Sequence, residues 1–189
     1  MTRAHQTRYS FSMPALMFLA LLLTACSSEL ADPSPNFDIN PWVCAVLPFK
    51  VYIAPEMDAK DAQGARDAIA TINSTAGGTI FLEVSTTDAA IQIVYSDEPG
   101  TTAARATSCG PDNATAYIAA DKALMYDTRR TGRSEATFTH EFLHLLGYYS
   151  ETGDIHDAEG SLMSTSIEVL YMAMSPRHAL YVQELLATY

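Results

Sequence analysis

The spacing of apolar residues changes several times along the chain, and each change marks an element. Residues 11–25 form a predominantly apolar run without charge, and residues 27–41, "SSELADPSPNFDINP", are polar and proline-bearing. The run is too short to span a bilayer as a helix and has the length of an export signal's apolar segment. The polar stretch reads as a solvated tether, so the folded domain is expected to begin near Trp42. "FKVYIAP" (49–55), "TIFLEVS" (79–85) and "AIQIVYS" (90–96) have strand composition. Between the first two, residues 57–73 set Ala62, Ala65, Ile69 and Ile72 at helical spacing, and "AGG" ends that helix. Residues 97–113, rich in Gly, Pro, Thr and Ser, read as a long surface loop. "ATAYIAA" and "ALMYDT" read as two short strands around Asp121 and Lys122, the first a possible edge to which an extended peptide could add. A helix is expected from about Ser134 to Leu146, with Ser134 at its cap and Glu135 in its first turn. "SPRHALYVQELLATY" is a terminal helix with Ser175 at the cap and Pro176 at the first helical position. This order predicts an α+β fold, a mixed sheet backed by helices.

Charge narrows the function. The chain has 189 residues, 11 basic and 22 acidic side chains, and a net charge of −11. Without the leading segment, which holds Arg3 and Arg8 but no acid, nine basic side chains face 22 acidic ones. Such a surface repels phosphates, which excludes nucleic acid as a partner and disfavours direct adhesion to anionic lipid. The apolar run ends in "LTAC", residues 23–26, which resembles the lipobox of bacterial lipoproteins. That resemblance implies cleavage before Cys26 and lipidation of Cys26, dividing the chain into a signal peptide (1–25), a lipidated cysteine with a tether (26–41) and a folded domain (42–189). Membrane attachment then comes from the acyl chains. Ser27 after the cysteine permits outer-membrane sorting, so the protein is expected in the bacterial cell envelope. Cys44 and Cys109 remain for a disulfide, the default in an oxidising compartment. The alternative is a Cys44 thiolate that silences a metal site.

The chemistry lies in "FTHEFLHLLGYYSETGDIHD", residues 138–157. His140 and His144, four apart on a helix, project from one face and can meet one cation. Glu141 is near enough to take a proton from water held there, an arrangement that suits hydrolytic zinc. Phe142, Leu143, Leu145 and Leu146 would bury the remaining faces. Gly147 suits a left-handed helix end that turns the chain back toward the metal.

"THEFLHLLG" followed by "GSLMS", and the terminal helix, resemble the metzincin zinc endopeptidases of matrixin type. The resemblance implies a metzincin-like fold: a twisted mixed sheet of about five strands packed with two long helices, plus a C-terminal helix. It implies one catalytic Zn2+ on His140 and His144, Glu141 as general base, Gly147 as the helix-ending turn and Met163 as the methionine of the Met-turn. The family's third histidine would fall at Ser150. Three alternatives stand: His156 is the ligand, delivered by a loop six residues longer; Asp154 or Glu151 supplies a carboxylate oxygen; or no third ligand exists. The "HDAEGSLM" spacing favours His156. Glu159 or Glu168 as third ligand would be thermolysin-like, which Gly147 and Met163 argue against. Tyr148, Tyr149 and Tyr171 are expected in packing rather than chemistry, and His178 on the solvated face of its helix.

The expected function is a zinc-dependent endopeptidase in or outside the cell envelope, acting on a peptide or protein substrate, with Glu141 polarising a zinc-bound water. The alternative is an inactive metal-binding or partner-binding envelope lipoprotein.

Overall fold

Phe49, Val51 and Ile53 are buried while Lys50 is exposed, the period of a strand with one face turned inward. The computed structural model describes residues 41–97, 102–111, 113–131, 133–148, 162–163 and 174–189. Among them lie five strands and four helices: β1 (Phe49–Ile53), α1 (Ala59–Ala76), β2 (Phe81–Val84), β3 (Ile91–Tyr95), β4 (Ala104–Thr107), β5 (Ala116–Ala120), α2 (Lys122–Thr131), α3 (Ser134–Leu145) and α4 (Pro176–Thr188). The strands form one mixed sheet in the order β2-β1-β3-β5-β4. All neighbours are parallel except β4 and β5, which pair antiparallel with Ala106 opposite Ile118. Among the described residues no helix is long and apolar enough to cross a membrane.

Local chemistry sets the helix ends. Asp58 caps α1, its Oδ1 accepting from the Lys60 N–H at 2.9 Å. At the other end Gly77 takes a φ of 74°. Asn73, in the last turns, clips α1 to β2: its Oδ1 accepts from the N–H groups of Ile80 and Phe81, and its Nδ2 donates to the Phe81 carbonyl. Ser175 caps α4 by accepting from the His178 N–H, and His178 Nδ1 accepts from the Ser175 N–H, a reciprocal capping box.

Three expectations are corrected. The segment read as a loop over 97–113 contains β4, whose partners lie in β5 rather than nearby in the chain. "ALMYDT" is helical, within α2, because the Asp121 side chain accepts from the N–H groups of Ala123 and Leu124 and so starts a helix. The outer strands are β2 and β4, whereas β5 lies between β3 and β4 and offers no free edge.

The core joins the sheet to α1, α3 and α4. Ile69 and Ile72 of α1, Phe138 and Phe142 of α3, and Val182 and Leu185 of α4 are buried with Phe81, Ile91, Ile93 and Ile118 of the strands. The Phe81 and Phe142 rings lie 4.5 Å apart, seating α3 against β2. Burial of side chains this large contributes about 1.5–3 kcal/mol each, enough to fix the rotation of α3 about its axis. The backbones of α1 and α3 approach closely: a Cβ on Gly64 would stand 2.6 Å from the Ser134 Cβ.

Candidate metal centre

A helix turns about 100° per residue, so anchoring Phe138, Phe142 and Leu145 in the core leaves His140 and His144 on the opposite face. Both imidazoles are aimed at one point: their Nε2 atoms are 2.9 Å apart. His140 Nδ1 lies 2.8 Å from the Leu162 carbonyl oxygen. A carbonyl only accepts, so the proton sits on Nδ1 and the His140 Nε2 presents its lone pair. Leu162 precedes Met163, and both are buried. The turn around Met163 thus serves the site through a backbone oxygen beside it.

α3 starts at Ser134 with Arg133 in the cap position and no side-chain cap bond, so Ser134 is not the cap. It is buried instead, with its Oγ 3.4 Å from Asp61 Oδ1. The far end closes tightly. Gly147 takes a φ of 79°, its N–H donates to the His144 carbonyl, and the Tyr148 N–H donates to the Leu143 carbonyl. This Schellman pair satisfies carbonyls that a helix end otherwise leaves open. The Tyr181 O–H donates to the Leu146 carbonyl at 2.7 Å, and the Tyr148 ring meets those of His178 and Tyr181 edge-on. His178 is therefore fully buried rather than solvated, because the capping box and Tyr148 enclose it.

Glu141 points toward β4, where its Oε2 accepts from the Ala106 N–H at 2.6 Å. It is 7% exposed. Burial pushes its carboxyl up to about 7, against the opposing pull of the Ala106 N–H and the Arg105 charge.

The segment before β1 crosses this region. The Trp42 N–H donates to the Leu145 carbonyl, the Trp42 carbonyl accepts from the Cys109 N–H, and the indole stacks on the His144 ring with an interplanar angle of 10° and centroids 6.1 Å apart. Cys44 and Cys109 are joined in a disulfide with a Cα separation of 5.8 Å. Trp42, Ala106 and Leu162 were not legible as site residues: two act through backbone groups, which carry no sequence signal, and Trp42 reads only as the start of the domain.

The donor set fits zinc. Two nitrogens on one tetrahedral zinc, each about 2.0–2.1 Å from it, lie about 3.3 Å apart. The two Nε2 atoms need to separate by only a few tenths of an ångström to meet that. Among the described residues no group of three His, Cys, Asp or Glu side chains gathers here. Ser150, Glu151, Asp154, His156, Glu159, Glu168, Tyr149, Tyr171 and Cys26, the expected lipidation site, lie outside the described residues. No protein-family profile matches the chain, and no curated protein matches it.

Proposed function

We propose that this protein is a zinc-dependent endopeptidase with a metzincin-like catalytic domain, tethered to the cell envelope by lipid on Cys26. The observation that carries the reading is the meeting of His140 Nε2 and His144 Nε2 at 2.9 Å on the helix that also bears Glu141. His140, His144 and His156 would hold the cation. Zinc, when bound, supplies the Lewis acidity that brings the pKa of water toward neutrality and offsets negative charge on a carbonyl oxygen. Glu141 accepts the proton of the attacking water and returns it to the departing amine. The Leu162 carbonyl keeps the His140 proton on Nδ1, so that the Nε2 lone pair is the one that would ligate. β4, outermost in the sheet and joined to Glu141 through Ala106, is where an extended peptide would add as a further strand. The high negative charge suits solvation at the envelope surface and leaves attachment to the acyl chains.

Zinc content and peptide hydrolysis of the full-length chain in detergent, measured beside Glu141→Gln, His156→Ala and Ser150→Ala variants, test this. The wild type is expected to hold one zinc and to cleave peptides. Glu141→Gln keeps the zinc and loses activity by about 10²–10⁴-fold. His156→Ala loses both, and Ser150→Ala keeps both. Zinc bound with no hydrolysis in the wild type would favour a binding lipoprotein. Unchanged zinc affinity in His156→Ala would move the third ligand to Asp154 or Glu151. A wild type that takes up no zinc would end the reading.

A further inference from the structure

The segment ahead of the first strand has no role in the mechanism above, yet its Trp42 lies against the His144 ring. We infer that Trp42, clamped by the Cys44–Cys109 disulfide, is a positioning residue for the metal centre, holding the His144 imidazole at the angle the cation needs. The inference rests on the zinc reading.

An imidazole on a helix can turn about its terminal torsion, a broad and soft coordinate. A nearly parallel indole beside the ring, with centroids 6.1 Å apart, favours the orientation that keeps the two planes aligned. It also shields one face of the ligand from water. Trp42 is itself held from two sides: its N–H is bonded to Leu145 at the end of α3, and its carbonyl to Cys109 beyond β4. The disulfide locks the second side from only two residues away. Without it, the attachment falls to two backbone hydrogen bonds, each contributing about 1 kcal/mol net, and to the packing of Trp42 and Val43 against the core. Cys44 is exposed and makes no packing contribution of its own at that level, so the bridge serves to fasten rather than to fill. The same stretch of chain holds Glu141 through Ala106, three residues before Cys109. Residues 106–109 therefore hold both working groups of α3, Glu141 directly and His144 through Trp42.

Trp42 is the single tryptophan of the chain, so its emission reports on the surroundings of His144 alone. The test uses the full-length chain in detergent, stripped of metal, with folding of every variant checked by circular dichroism. Zinc and Co2+ affinities are measured by competition with a chromogenic chelator, and the effect of bound Co2+ on Trp42 is read separately from its emission. Trp42→Leu, which keeps the disulfide, and Cys44→Ser/Cys109→Ser are each expected to weaken zinc binding about tenfold or more, the usual effect of removing a group that orients a ligand. Trp42→Phe, which keeps a ring against His144, should stay within about threefold of the wild type on the same scale. One equivalent of Co2+ should quench the wild-type emission and quench that of the double serine variant far less. A folded Trp42→Leu protein that binds zinc as tightly as the wild type overturns the inference and leaves the zinc reading standing. So does a wild type that binds Co2+ without any change in emission. A wild type that binds neither ion overturns both.

Discussion

Replacing Glu141 by Gln in the metal-free protein should raise its stability at neutral and higher pH and leave it unchanged in acid. Burial lifts this carboxyl from 4.5 to about 7 in the folded chain. Between those values the folded protein holds a proton that the unfolded chain releases. Stability contributed by the group is therefore fully present below about 4.5 and is lost as the pH rises through about 7. At about 1.4 kcal/mol per pH unit, the displacement amounts to about 3 kcal/mol. Glutamine has the same shape, its amide oxygen still accepts from the Ala106 N–H, and it has no charge to bury. The two proteins should match near about pH 4 and differ by about 3 kcal/mol, in favour of glutamine, by about pH 8. Urea unfolding of both proteins across this range, in chelator, measures the difference. Parallel pH profiles, or a glutamine variant less stable than the wild type at the alkaline end, would refute the buried carboxyl beside β4.

Two further perturbations bear on the scaffold. Gly64→Ala would, in an isolated helix, stabilise α1 by about 1 kcal/mol. Here the added Cβ meets the Ser134 Cβ at 2.6 Å, the Ser134 carbonyl carbon at 2.9 Å and the Glu135 nitrogen at 3.0 Å, two of them backbone atoms that cannot step aside. A net loss of about 1–3 kcal/mol is expected from thermal or urea unfolding, and a gain would mean the helices are not so close. Removing the disulfide by Cys44→Ser/Cys109→Ser frees residues 65 apart in sequence. In the chain-entropy treatment this costs about 4 kcal/mol of stability, read as a lowered urea midpoint, with an unchanged midpoint as the contrary result.

The parts of this architecture that announce themselves in the sequence are those whose cause is local. β1, β2 and β3 carry their own β-branched and aromatic residues, and α4 its Ser175–Pro176 start. The helix with His140, Glu141 and His144 shows through spacing alone. β4 does not, because "ARAT" becomes a strand only through β5, across a glycine- and proline-rich stretch. α2 was missed for a different reason: Asp121 beside Lys122 looks like a turn between strands, whereas its carboxylate caps a helix. His178 was misjudged because a polar residue at the third position of a helix is usually solvated, and only the tertiary position of Tyr148 reveals that this one is enclosed. The convergence of the imidazoles follows from their spacing. What steadies them, the Leu162 oxygen and the Trp42 ring, comes from distant points of the chain whose side-chain letters say nothing of it.

The closure of α3 uncouples the direction of the helix from the length of chain that follows it. Its last carbonyls are taken by Gly147, Tyr148 and Tyr181 before the polypeptide moves on. Any number of residues inserted between Tyr148 and Leu162 therefore exerts little leverage on the axis of the helix, and ring-closure entropy grows only with the logarithm of the inserted length. The route by which a third ligand would arrive can lengthen or shorten over evolution while His140 and His144 keep their bearing.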